Sequence, residues 1–264
     1  MAATAVVDHA AAAATLHAAR QQRRSVAMLT ERWPELTSED AYRIQELGLQ
    51  LREGDGERIV GGKLGFTSAA MRAAMRVDAP NTGWVTDAML RHDGVVDLDD
   101  HLHPKVEPEI AFVLAQDLRA PVTSGDVLRA TAAVVPCLEV VDSRYHDFRF
   151  TALDNVADDS SAGAFVLGDP VPVDGIDLRT CGVVLETDGE VVATAAGAAV
   201  LDHPAAAVAW MVDHTHGRRL EAGHVVLSGG LTAPVDLSPG TTVRVTIDRL
   251  GSAELRVRAP RRND

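Results

Sequence analysis

The sequence predicts an α+β fold: a mixed, curled β-sheet roll with a helical layer added at its N-terminus. Three observations predict it. Residues 1–53 are rich in Ala, Leu and Arg and nearly free of Gly and Pro. From Arg58 onward the texture changes to short apolar runs separated by Gly, Pro and Asp, the mark of many short strands joined by turns. The chain is 264 residues long and 46% hydrophobic, enough for a sizeable core. We divide it into an N-terminal helical region, 1–57, and a catalytic β-roll domain, 58–264.

In the helical region, residues 10–29 form one Ala-rich stretch, and Trp33-Pro34 breaks it. Thr37-Ser38-Glu39-Asp40 resembles a capping box. Ala41, Ile44, Leu47 and Leu51 then follow at helical spacing until Gly54-Asp55-Gly56 stops the helix. This layer carries no evident chemistry and reads as packing or interface.

The roll begins with residues 58–68, a strand entering a Gly-rich turn. Ser68 is placed to cap a short helix over 69–75. Lys63 lies among small residues, where a ligand can approach the backbone. Taken alone, an ordinary surface lysine explains it as well. The stretch lacks Walker spacing, so ATP is not implied. Residues 78–83 read as a turn leading to Trp84-Val85-Thr86, and 94–98 as a short strand. A longer strand spans 105–114, and Thr123-Ser124-Gly125-Asp126 precedes a helix over 127–133. An apolar run covers 134–144, and 151–164 is a polar loop. Residues 181–193 form a hairpin about Asp188-Gly189. His203-Pro204 starts a helix over 205–214. Residues 225–232 are a strand ending in a Gly pair, and 241–247 and 253–257 are strands that alternate cleanly as half-buried antiparallel partners. A polar tail, 260–264, ends the chain.

Net charge is −13, with 38 acids against 25 Lys and Arg. Nucleic acid and anionic membrane are therefore excluded as main partners. No apolar run reaches membrane-spanning length. The N-terminus lacks a basic segment before its apolar stretch, so it is a poor secretory signal. Cys137 and Cys181 sit in apolar contexts without metal-type spacing. Two buried thiols fit a reducing cytoplasm.

Chemistry concentrates in Val106-Glu107-Pro108-Glu109-Ile110. Residues two apart on a strand share a face, so Glu107 and Glu109 point together. Glu139 is a third acid inside an apolar run. Burying three uncompensated carboxylates costs several kcal/mol each, so a buried set needs a positive partner. Oxygen-only ligands suit Mg2+ or Mn2+ better than zinc. From spacing alone, the commoner arrangement is two glutamates on the exposed face of an edge strand.

Five stretches carry a resemblance. They are Gly62-Lys63-Leu64-Gly65-Phe66-Thr67-Ser68, Pro104-Lys105-Val106-Glu107-Pro108-Glu109-Ile110, Glu139-Val140-Val141-Asp142-Ser143-Arg144, Gly197 to Pro204, and Leu227-Ser228-Gly229-Gly230-Leu231-Thr232-Ala233. In this order they resemble the hydratase and decarboxylase branch of the fumarylacetoacetate hydrolase superfamily. The resemblance implies a fumarylacetoacetate hydrolase-like roll in which Glu107, Glu109 and Glu139 bind Mg2+ or Mn2+ and Lys63 faces the substrate. It also implies substrate contacts from Leu64, Phe66, Thr232 and the small loop around Ser161. That loop departs from the branch's usual Ala-Asp-Asn-Ala-Ser-Ser: here Asp159 replaces the Asn and Ala162 the second Ser. An added acid beside an anionic substrate is unfavourable unless it points away.

Ser143-Arg144-Tyr145 followed by Phe148-Arg149-Phe150 is similar to the decarboxylases of the branch rather than the hydratases. The implied reaction is metal-dependent loss of CO2 from 2-oxo-3-hexenedioate (4-oxalocrotonate), or a close analogue, in aromatic catabolism by meta-cleavage. The alternative is hydration of 2-hydroxypenta-2,4-dienoate. A third reading is a non-catalytic assembly partner of a hydratase, which predicts loss of metal ligands that are in fact present. Arg144 and Arg149 are candidates for the distal carboxylate, or else ion-pair residues. Asp78 is a candidate proton-transfer group, or a turn residue. His103, His203 and Ser68 read as structural. Expected partners are a small 2-oxo acid, further copies of this chain and a paralogous hydratase.

Overall fold

A computed structural model describes residues 6–259. The expected polar tail, 260–264, and residues 1–5 lie outside the described residues. The N-terminal layer holds helices α1 (His9–Gln22), α2 (Leu29–Arg32) and α3 (Ser38–Gly54). Then come β1 (Ile59–Gly65), α4 (Ala69–Met75), β2 (Asn81–Thr86), β3 (Val95–Asp97), β4 (Lys105–Leu114), α5 (Ser124–Ala130) and β5 (Thr131–Val141). They are followed by α6 (Ala152–Ala157), β6 (Ala162–Leu167), β7 (Gly182–Thr187), β8 (Glu190–Ala196) and α7 (Pro204–Asp213). The last strands are β9 (Val225–Leu227), β10 (Val235–Asp236), β11 (Thr242–Ile247) and β12 (Gly251–Arg258).

Two sheets form the roll. The larger has the order β2-β1-β9-β4-β5-β6, with β10 on the start of β4. It is mixed: β1 runs parallel to β9, whereas β4 runs antiparallel to both β9 and β5. The smaller has the order β3-β12-β11-β7-β8. Side-chain alternation decides which way each strand faces. On β4, Val106, Ile110, Phe112 and Leu114 join Leu138 and Val140 of β5 and Val243, Val245 and Leu255 of the smaller sheet in the main core. The opposite face of β4 carries Glu107, Glu109 and Ala111. Ala111 packs there with Val135, Cys137 and Leu227.

The helical layer has its own apolar cluster, in which Leu16, Trp33 and Ile44 meet Tyr145 and Val156. The capping box on α3 is present: Thr37 Oγ1 accepts from Asp40 N, and the Asp40 carboxylate accepts from Thr37 N. The buried stripe of α3 differs from the expected one. It runs Ala41, Ile44, Gln45, Leu49 and Arg52, while Leu51 is 39% exposed. The stretch 10–29 is also not one helix. It ends at Gln22, with Arg23 in a left-handed cap, and resumes briefly at Leu29.

Elsewhere, Ser68 caps α4 by accepting from Met71 N, and His203 caps α7 by accepting from Ala205 N. The expected turn over 78–83 is shorter, because strand pairing already begins at Asn81. The helix expected over 127–133 starts earlier and gives way to β5 at Thr131. The polar 151–164 stretch is α6, then a left-handed turn, then β6. No helix among the described residues is long and apolar enough to cross a membrane.

Candidate metal centre

β4 is a central strand, so the exposed-edge arrangement of Glu107 and Glu109 does not hold. Antiparallel register places Glu107 directly opposite Glu139 on β5, and Glu109 opposite Cys137. All three acids therefore project from one face of two adjacent strands. One carboxylate oxygen from each lies within 4.8 Å of the others. Glu109 and Glu139 are 0% and 1% exposed, and Glu107 is half-buried.

Lys63 joins them from β1. Its side chain is 2% exposed, which removes the surface-lysine alternative, and Nζ lies 3.2 Å from Glu139 Oε1. The ammonium also donates to the Ser160 carbonyl at 2.9 Å and to Ser160 Oγ at 3.3 Å. A polar chain continues from there. Ser160 Oγ donates to Asn81 Oδ1, Asn81 Nδ2 to Asn155 Oδ1, and Asn155 Nδ2 to Ser161 Oγ, at 2.9, 2.7 and 2.9 Å.

The acids are undersupplied with positive charge. Glu109 Oε2 accepts from Gly229 N at 2.7 Å. Glu109 Oε1 and Glu139 Oε2 are buried with no hydrogen-bond partner among the described residues. Burial, and then the Glu139 charge, push the Glu107 carboxyl up to about 7. The same two causes raise Glu109 well above the usual carboxylate range. Burial alone would lower the Lys63 ammonium, but Glu139, Glu107 and Glu109 together outweigh it and hold it above its ordinary value. One lysine against three carboxylates leaves a buried excess of negative charge.

Three converging carboxylates, two of them with unpartnered buried oxygens, fit a hard divalent cation. The backbone beside them is fitted closely as well. A Cβ on Gly230 would stand 2.7 Å from Glu107 Oε1, so a larger residue there would have to displace the carboxylate.

A pocket of about 110 Å³ opens onto the centre. Its polar end is Lys63, Glu107, Asn155, Ser160 and Ser161, and its other walls are Phe66, Met71, Met75, Val141, Phe148, Phe150 and Pro234. Phe148 and Phe150 lie 5.5 Å apart, ring to ring. Of the residues singled out in the sequence, Lys63, Phe66, Ser161 and the three glutamates thus come together.

Others do not. Leu64 follows Lys63 on a strand, so its side chain points the opposite way, into the main core. Thr232 is half-buried and its hydroxyl donates to Ala233 O rather than lining the pocket. Asp78 lies exposed in a bend after α4, away from the pocket lining. Arg149 is exposed too. Arg144 is buried but committed: its Nε and backbone N donate to the Asp158 carboxylate, and its Nη1 to Ala162 O. It is an ion-pair residue and does not line the pocket.

Asp159 points away from the pocket. Its carboxylate accepts from Trp84 N at 2.8 Å and from Arg52 Nη1 at 3.1 Å. The sequence reading missed Arg52, Asn81, Ser160 and the walls formed by Met71, Met75 and Pro234. For Arg52 a signal existed, since it sits three and seven residues past Leu49 and Gln45, on the buried stripe of α3.

The sequence model of the fumarylacetoacetate (FAA) hydrolase C-terminal family matches residues 63–258. The 4-oxalocrotonate decarboxylase of Pseudomonas sp. strain CF600 is 41% identical over 233 residues, covering 86% of this chain and 88% of that one. A 2-hydroxypent-2,4-dienoate hydratase of Pseudomonas putida is 44% identical over 202 residues, covering 75% and 91%. Among solved structures, the 4-oxalocrotonate decarboxylase of Pseudomonas putida G7, complexed with magnesium and adipate, superposes with a TM-score of 0.92. It is 38% identical and covers 96% of this chain and 99% of that one.

Proposed function

The chain belongs to the fumarylacetoacetate hydrolase family, and from that premise we propose that it is a lyase that decarboxylates 2-oxo-3-hexenedioate or a close analogue. The observation that carries this reading is the pairing of buried carboxylates holding free oxygens with a pocket that is polar at one end and apolar at the other. The structural relative complexed with magnesium supports Mg2+ as the cation, and Mn2+ is the alternative that oxygen ligands also suit. Glu107, Glu109 and Glu139 would hold it. Bound there, the cation would supply Lewis-acid stabilisation of a 2-oxo acid's developing oxyanion.

The chain's own residues account for the rest. The C1 carboxylate and C2 oxygen belong at the polar end, within reach of Lys63, Ser160, Ser161 and Asn155. The distal carboxylate then lies against Met71, Met75, Phe148 and Phe150. An apolar wall solvates an anion poorly and neutral CO2 well, so it favours the departing form over the bound one. When the C5–C6 bond breaks, its electron pair moves through C4 and C3 onto the C2 oxygen. The Lys63 ammonium, held protonated by the acids around it, offers that oxygen a hydrogen bond and then a proton.

Hydration of a 2-hydroxydienoate is the second reading, favoured by the comparable identity to the hydratase relative. One assay separates them. Protein with Mg2+ is given 2-oxo-3-hexenedioate and, separately, 2-hydroxypenta-2,4-dienoate. CO2 release from the first supports the decarboxylase, and turnover of the second alone replaces it with the hydratase.

We assign the chemistry to the roll, 58–264, and packing to the helical region, 1–57. We also place the chain in the cytoplasm, in keeping with the free, buried Cys137 and Cys181, and propose that it is a homo-oligomer. A complex with a paralogous hydratase would pass the unstable dienol on without release. Co-elution of the two proteins at micromolar concentration tests it, and independent migration rejects it.

A further inference from the structure

Asp159, Ser160 and Ser161 have φ of 51°, 50° and 57°. Three successive non-glycine residues thus occupy the left-handed region, which L side chains adopt reluctantly. Such a turn persists only where its surroundings fix it.

Two arginines do so. Arg144 binds the start of the turn through the Asp158 carboxylate and, at 2.6 Å, the Asp158 carbonyl, and its end through Ala162 O at 3.1 Å. Arg52 reaches in from α3 and holds the Asp159 carboxylate. Its remaining donors go to Glu57 and Thr86. The opposite side of the turn rests on β2, where a Cβ on Gly83 would meet Asp159 O at 2.7 Å and Lys63 Cδ at 3.0 Å.

The turn's effect on the site passes through Ser160. Its carbonyl and hydroxyl take two of the contacts of Lys63 Nζ, and Glu139 takes the third. Coulomb attraction draws a buried ammonium toward three carboxylates. Ser160 offers the ammonium two oxygens that compete with them. The carbonyl makes this contact with Ser160 in the left-handed conformation.

We propose that Arg52 and Asp159 are positioning residues. Their ion pair fixes the left-handed turn, and the turn fixes where Lys63 points. The helical layer thereby takes part in the site. The catalytic meaning of this rests on Lys63 facing the substrate, as set out above.

The chain contains two lysines, Lys63 and Lys105. Protein labelled with 15N-lysine therefore gives two ammonium signals, and Lys105, paired with Asp236 at the surface, serves as the internal reference. In the wild type the Lys63 ammonium exchanges its protons slowly. In Asp159→Ala and Arg52→Met that exchange rises at least tenfold, with Lys105 and the far-UV circular dichroism unchanged. Asp159→Asn keeps one oxygen acceptor and restores slow exchange. With Mg2+ and 2-oxo-3-hexenedioate, kcat of Asp159→Ala falls about tenfold to a hundredfold while KM changes less than threefold. Should Arg52→Met fail to fold, Asp159→Ala carries the test. Unchanged Lys63 exchange in folded Asp159→Ala overturns the proposal whatever the activity. Faster exchange with unaltered kcat overturns the positioning role. If the wild type turns over neither acid, the functional reading fails, while the exchange data still decide what holds Lys63.

Discussion

Two charged clusters lie buried a few residues apart, and they differ in one respect. Around the left-handed turn, Arg20, Arg52 and Arg144 are matched by Glu57, Asp158 and Asp159. On β4 and β5, three carboxylates share one lysine, and buried oxygens of Glu109 and Glu139 have no hydrogen-bond partner among the described residues. The first cluster is complete without any addition. The second becomes complete only with a further positive charge. A buried charge that is satisfied reads as scaffold, and one that is not reads as a site.

The difference can be broken or sharpened by substitution. The largest effect is expected from Glu109→Gln. Activity with Mg2+ falls on the order of 10³-fold. Calorimetric Mg2+ binding is lost, and with it the stabilisation of about 2.7 kcal/mol that a hundredfold excess over Kd would give. Metal-free stability does not fall, because the change removes a carboxyl whose charge the interior disfavours. A marked loss of metal-free stability would place Glu109 in the scaffold class.

Asp158→Ala should show the reverse. It leaves Arg144 buried without its carboxylate, and urea denaturation should report a loss of about 3–5 kcal/mol. Metal affinity of the folded protein should fall less than tenfold. If affinity collapses and stability holds, the two clusters are not distinct.

Gly230→Ala is intermediate. The new methyl would crowd the Glu107 carboxylate, and metal affinity should fall about tenfold, as for other disturbances just outside a ligand set. Melting should change little.

The smallest effect is expected at the far end of α3. Thr37→Ala removes a capping-box hydroxyl and should cost about 1 kcal/mol with metal affinity unchanged. The Thr37 hydroxyl, then His9, lower the Asp40 carboxyl to about 2. The contribution of this cap is therefore full above about pH 4 and fades as pH falls through about 2. In Thr37→Ala this acid-side loss should shrink in a pH-dependent unfolding series.

What the sequence made legible follows the range of the interaction involved. The shared face of Glu107 and Glu109 follows from the two-residue period of a strand. The strands of the last third and the caps at Thr37, Ser68 and His203 are equally local. The pairing of Glu139 with Glu107 depends on register between distant segments, and spacing alone pointed to an exposed edge. Arg144 was readable as a substrate or ion-pair candidate, but its partner Asp158 was not, because the two meet only through the fold. Arg52 was passed over because a helical arginine is usually solvated. The left-handed turn was invisible for a different reason: no glycine marks it.

That absence has a consequence for anyone who would engineer this protein. Programmes for raising heat tolerance scan for residues whose backbone conformation does not suit them. Asp159–Ser161 offers three of them in a row. A Ser160→Gly variant would relax a reluctant torsion and also free the segment to wander. The gain in durability would be bought with the fixed bearing of Lys63, so the most tempting place to harden the molecule is also where hardening would blunt it.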